Sequence, residues 1–265
     1  MSQFIALAIA AHPDDIEFRM AGTLLRLREA GWETHYLNLS AGNCGSARMG
    51  PAETARKRRA EAQAAAKLLD SVWHPPFCKD LEITYTIPLL RKLAAVIRLV
   101  RPNVVLTHPP VDYMEDHTAT CRLAVTAAFS RGMPNFKTIP TRKAIPGDIT
   151  LYHCTAHGLV DPLNRPMMPE FFIDTTTVQK RKLEALAAHA SQQDWLDRSQ
   201  GMNSYLKAAD DESRLVGRAS GKFLHAEGWW RHSSTGFCPS DADPLRAALG
   251  QPASRPSHSR PISPS

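Results

Sequence analysis

Over residues 4–153, short apolar runs alternate with longer stretches of helical spacing, and this alternation most limits what the chain can fold into. The runs fall at 4–10, 34–39, 72–73, 103–107 and 149–153. Helical stretches fall near 20–30 and at 52–69, 87–100 and 117–130. Phe4 to Ala10 holds no charge, no Gly and no Pro, and so reads as a buried strand. Strands alternating with helices predict a parallel sheet with right-handed crossovers. The expected fold class is therefore α/β: a Rossmann-like, mostly parallel sheet flanked by helices, with a smaller C-terminal α+β portion. If the first and fourth strands lie side by side and their helices leave on opposite faces, a switch point opens between them. Ligands collect at such a point, at the carboxyl ends of the strands.

After residue 155 the pattern changes. Pro162, Pro166 and Pro169 mark a loop, Phe171 to Asp174 reads as a short strand, and Val178 to Ala188 as a helix with Thr176 or Thr177 as its cap. One domain is expected over 1–250. Residues 251–265 are a Pro/Ser-rich tail that cannot bury a core and is expected to be disordered. Hydrophobic residues make up 43% of the 265, enough for a sizeable core. No stretch approaches the ~20 apolar residues of a membrane helix. Phe4 to Ala10 is too short for a span and lacks a basic stretch before it, so it is not read as a signal peptide. A cytoplasmic protein is expected. Five cysteines, at 44, 78, 121, 154 and 238, include no Cys-x-x-Cys, so neither a disulfide framework nor a thiolate zinc site is indicated. The net charge is +6, but the densest basic run, Arg56 to Arg59, lies on a helix with an Ala-rich face. A solvated helix face accounts for it, and no nucleic-acid partner is expected.

Chemistry gathers at two of the strand ends. The first strand runs into Ala11-His12-Pro13-Asp14-Asp15-Ile16-Glu17-Phe18. Asp14 or Asp15 would serve there as a helix cap, with Glu17 as a partner in the first turn. The fourth run leads into His108 and then Asp112-Tyr113-Met114-Glu115-Asp116-His117. With both clusters at strand ends, His12, Asp15 and His117 form a three-ligand set suited to Zn²⁺, another divalent metal being the alternative. Adjacent aspartates tend to point in different directions. Asp15 can therefore bind metal while Asp14 faces the attacking water as general base.

The chain resembles the LmbE-like, or PIG-L, zinc-dependent de-N-acetylases. The resemblance rests on the Ala11 to Glu17 motif and on the Asp116-His117 pair before a helix. Weaker support comes from the small-residue turn Ala41 to Ser46, the Arg58-x-x-Glu61 helix, Ser191-Gln192 and Ala226-Glu227. It spans about residues 4 to 230. It implies hydrolysis of an N-acetylglucosamine-type amide to acetate and a free amine, the substrate being a small acetylated amino sugar or glycoconjugate. It also implies that Asp116 hydrogen-bonds a ligand imidazole and that Arg58 reaches the substrate. Asp112 and Tyr113, on the same loop as His117, are expected to contact substrate or to order the turn. Many members carry a His where this chain has Met114, so either another histidine serves the oxyanion or this branch relies on the metal and on other donors. His189, just ahead of Ser191-Gln192, is placed first, with His108, His157 and Tyr113 as alternatives. The rival readings are an amidase acting on a thiol conjugate or another acylated natural product, a non-catalytic sugar-binding relative, and a nucleotide-binding module. The absence of Gly-x-Gly-x-x-Gly after the first strand argues against the last. Homo-oligomerisation is left open.

Overall fold

A computed structural model of the chain describes residues 4–192 and 205–250. The tail expected over 251–265 lies outside the described residues.

The chain begins with β1 (Ile5–Ala10), a short α1 (Asp15–Arg19), α2 (Ala21–Glu29) and β2 (Glu33–Asn38). Then come α3 (Pro51–Leu68), β3 (Val72–His74), α4 (Ile87–Val100), β4 (Val104–Thr107), α5 (Glu115–Phe129) and β5 (Thr150–Cys154). The remainder supplies β6 (Phe171–Asp174), α6 (Gln179–Ala187), α7 (Tyr205–Ser220), β7 (Ala226–Arg231) and α8 (Pro244–Leu249). The strands form a sheet of order β3-β2-β1-β4-β5-β7-β6. The pairs from β3 through β5 are parallel, whereas β7 runs antiparallel to both β5 and β6. The C-terminal portion thus extends the same sheet. Among the described residues no helix is long and apolar enough to cross a membrane.

Strand periodicity sorts β1 onto two cores. Ala6, Ala8 and Ala10 face a cluster with Leu24, Leu25, Tyr36 and Trp229, while Leu7 and Ile9 face one built from α4 and α5, including Leu93, Ile97 and Leu123. Leu7 and Ile9 are fully buried, each worth about 1.5–3 kcal/mol over an exposed position. A sheet covered on both faces needs nearly continuous apolar strands, which is why β1 and β4 carry no charge.

The sequence expectation of one helix near 20–30 is modified. Two helices meet at Met20, whose φ of −132° leaves the helical region. The start of α2 is held from afar. Glu227 on β7 accepts the Gly22 and Thr23 backbone N–H groups at 2.8 and 2.7 Å, and Lys182 Nζ at 2.8 Å. Those N–H groups have no partner within their own helix, and a carboxylate at a helix start is also favoured by the helix dipole. A Cβ at residue 22 would lie 2.5 Å from Thr175 Cγ2 and 2.9 Å from Glu227 Oε1. Only glycine lets the carboxylate approach this closely.

Candidate active site

Ile9 of β1 pairs in parallel with Thr107 of β4. The loops that follow these two strands therefore leave the same edge of the sheet. His12 sits on the first loop, Asp15 opens α1, and His117 lies in the first turn of α5. One ligand atom from each lies within 4.8 Å of the others. His12 Nδ1 is 3.4 Å from Asp15 Oδ2, and His117 Nε2 is 3.4 Å from Asp15 Oδ1.

The outer nitrogens of both rings are engaged. His12 Nε2 pairs with Asp116 Oδ2 at 2.9 Å, and His117 Nδ1 with Asp112 Oδ1 at 3.0 Å. A carboxylate behind an imidazole fixes its tautomer and leaves the other nitrogen as a lone pair, the arrangement that metal-binding histidines favour. Two such nitrogens and a carboxylate facing one another fit a divalent metal of the zinc type. Burial pulls the His12 pKa down, but Asp116 and Asp15 outweigh it and push it up to about 10. Burial likewise opposes the charge on His117, yet Asp15 and Asp112 push it up to about 9. Burial raises Asp15, and the neighbouring His117, His108 and His12 more than reverse this, holding the carboxyl well below its usual range. The pocket therefore favours positive charge beside Asp15.

Asp14 points elsewhere. Its φ is +102°, and its side chain makes no capping hydrogen bond to α1. Instead Tyr205 Oη donates to Asp14 Oδ2 at 2.7 Å, and Arg58 Nη2 stands 3.4 Å from the same oxygen. Burial pushes the Asp14 carboxyl up, with Arg58 opposing. Arg58 is buried and also donates to the Pro13 carbonyl. The turn after β2 makes room for it. A Cβ at residue 42 would lie 2.7 Å from Arg58 Cδ, and one at residue 45 would lie 2.6 Å from Arg58 Nη1.

These groups border a cavity of about 420 Å³, in the range of small-molecule sites. Arg58, Asp112, Tyr113 and Met114 all line it. Tyr113 is 66% exposed at its mouth, its ring 5.5 Å from that of His117 and 6.4 Å from that of His157. Asp112, expected at the substrate, has its Oδ1 occupied by His117 Nδ1 and by the Met114 N–H. Asp116 lies behind His12. His189 differs from expectation: it is fully buried and does not border the cavity. Its Nε2 stands 3.4 Å from Glu17 Oε2, and Tyr36 Oη donates to the same carboxylate oxygen at 3.2 Å. Glu17, expected as a cap partner, is itself fully buried. The donor role expected of His189 does not fit this position. The adjoining Ser191 donates both its N–H and its hydroxyl to Glu61, at 3.0 and 2.6 Å.

Two cavity residues escaped sequence reasoning. Arg19, the last residue of α1, is held by Glu212 of α7 and lies 2.8 Å from His157 Nδ1. Asp80 accepts the Cys44 N–H at 2.8 Å and the Ser40 hydroxyl, and so ties down the turn beneath Arg58. Arg19 directly follows the first motif, which was a usable signal; Asp80 had none.

The chain is similar to known proteins over most of its length. The PIG-L family model, described as GlcNAc-PI de-N-acetylase, matches residues 7–128. A diacetylchitobiose deacetylase of Thermococcus kodakarensis is 29% identical over 192 residues, covering 70% of this chain and 69% of the relative. A 4-oxalmesaconate hydratase of Pseudomonas putida is 30% identical over 196 residues, covering 71% of this chain and 74% of the relative. The crystal structure of GalB, the 4-carboxy-2-hydroxymuconate hydratase from Pseudomonas putida KT2440, aligns with a TM-score of 0.69 at 25% identity, covering 86% of this chain and 96% of that one.

Proposed function

The chain belongs to the PIG-L (LmbE-like) family, and from that premise we propose that it is a zinc-dependent hydrolase that removes the acetyl group from an N-acetylglucosamine-type amide. The observation that carries this reading is the set His12, Asp15 and His117 on one cavity, with Asp14 lining the same cavity beside it and held by Tyr205 rather than by the set. Zn²⁺ held by those three residues would lower the pKa of water and polarise the acyl carbonyl. The rest falls to the protein. Asp14 accepts the proton of the attacking water and passes it to the departing amine. Burial raises its pKa, with Arg58 opposing, which favours a carboxyl that holds the proton between the two transfers. Tyr205 and Arg58 hold its carboxylate, and Asp116 and Asp112 hold the two imidazoles. Tyr113 and His157 flank an entering sugar ring at the mouth.

The test is a screen of N-acetylglucosamine and N,N′-diacetylchitobiose. Acetate and primary amine should appear in equal amounts, vanish after chelation and return with Zn²⁺. Absence of acetate from every acetylated amino sugar tried would contradict the reading. The hydratase relative favours a second reading, in which the same base activates water to add across a conjugated alkene of a carboxylic acid. Arg19 on the cavity wall would then meet a substrate carboxylate. Loss of the ultraviolet absorbance of 4-oxalmesaconate, with no acetate released from sugars, would select it.

A further inference from the structure

We propose that His108 supplies, through its Nδ1–H, the hydrogen bond to the oxyanion that Met114 cannot give. The proposal rests on the hydrolytic reading above.

A tetrahedral oxyanion needs a donor beside the metal set, and a thioether donates nothing. His108 follows β4 directly, borders the cavity and is only 2% exposed. Its ring stacks on that of His117, with centroids 4.1 Å apart and planes 10° apart. It lies against the trio His12, Asp15 and His117 without belonging to it, although one of its nitrogens also lies within 4.8 Å of ligand atoms of Asp112 and His117.

The tautomer follows from the hydrogen bonds. The backbone N–H of Ala11 points at His108 Nε2, 3.0 Å away. A backbone amide only donates, so Nε2 must offer its lone pair. Asp15 Oδ2 is farther from the same nitrogen, at 3.4 Å, and cannot take a proton that the Ala11 contact excludes. The proton of the neutral ring is thus on Nδ1. That nitrogen makes no hydrogen bond to a described residue, and the residue lines the cavity. The backbone at His108 is also held: His153 Nδ1 donates to the His108 carbonyl at 2.8 Å. The other candidates fit less well. His189 does not reach the cavity, and Tyr113 and the His157 side chain are largely exposed at the mouth.

Two measurements on the full-length, zinc-loaded chain test this. In long-range ¹H–¹⁵N spectra of the imidazoles, His108 should carry its proton on Nδ1 and a bare Nε2. The opposite tautomer would overturn the proposal whether or not any substrate turns over. The second uses methylphosphonate as a tetrahedral anion probe. His108→Gln places an acceptor near Nε2 for Ala11 but no donor at the Nδ1 position. It should keep its zinc and bind the probe ~10–100-fold more weakly than wild type. His108→Asn, with an N–H near the Nδ1 position, should recover much of that affinity. Wild-type probe affinity in His108→Gln would overturn the proposal, and so would loss of zinc, which would make His108 a ligand. If N-acetyl sugars are not hydrolysed at all, the functional reading fails, while tautomer and probe affinity still report on His108 by themselves.

Discussion

At the scale of the residue, neighbouring aspartates are given different work by one backbone angle. The positive φ of Asp14 turns its carboxylate toward Tyr205 and Arg58, while Asp15 stays with the histidines. Asp14→Asn should therefore retain metal and lose about 10²–10⁴ in turnover, because the amide keeps the size but accepts no proton. Metal analysis and turnover on one preparation check this. A metal-free variant would mean that the two roles are exchanged. That His12, Asp15 and His117 come together was legible in the sequence because the two clusters that hold them follow β1 and β4, which pair in parallel. The pairing of Asp112 with His117 and the presence of Arg19 were not. What Asp112 and Arg19 do depends on His117 in one case and on Glu212, 193 residues away, in the other. His189 misled for the same reason. Its nearness in sequence to Ser191-Gln192 says nothing about Glu17, which it faces.

At the scale of the element, the parallel strands could be read to within a residue or two, because both faces of β1 and β4 are covered. β7 could not. Its sequence, Ala226-Glu227-Gly228-Trp229-Trp230-Arg231, holds two charges and a glycine. Its place is set by pairing with β5 and β6, and by Glu227 reaching the start of α2. Strand pairing also buries histidines. His74 on β3 lies 2.8 Å from His35 Nδ1 on β2, and burial, aided by His35, pushes its pKa down to about 4. On β5, burial takes His153 down to about 4 as well. An unfolded chain takes up these protons near 6.5, before the folded protein does. Stability from these sites is therefore complete above about pH 6.5 and is lost as pH falls toward about 4. Melting temperatures at pH 7 and pH 5 should show a drop that is smaller in His74→Gln than in wild type. Equal drops would show that His74 is not a source of the acid sensitivity.

At the scale of the whole molecule, the site needs both ends of the chain. β1 and β4 bring the ligand loops to one sheet edge, while α7 supplies Tyr205 to Asp14 and Glu212 to Arg19. The α/β pattern foretold the first contribution. The second depends on docking of the C-terminal portion, which no local pattern encodes. We propose that His12, Asp15 and His117 hold one metal ion. Elemental analysis of purified wild type and His117→Ala, prepared side by side near neutral pH, tests it most directly. About one zinc per wild-type chain is expected of a three-ligand catalytic site, and almost none in the variant. Equal metal content in the two proteins would contradict it.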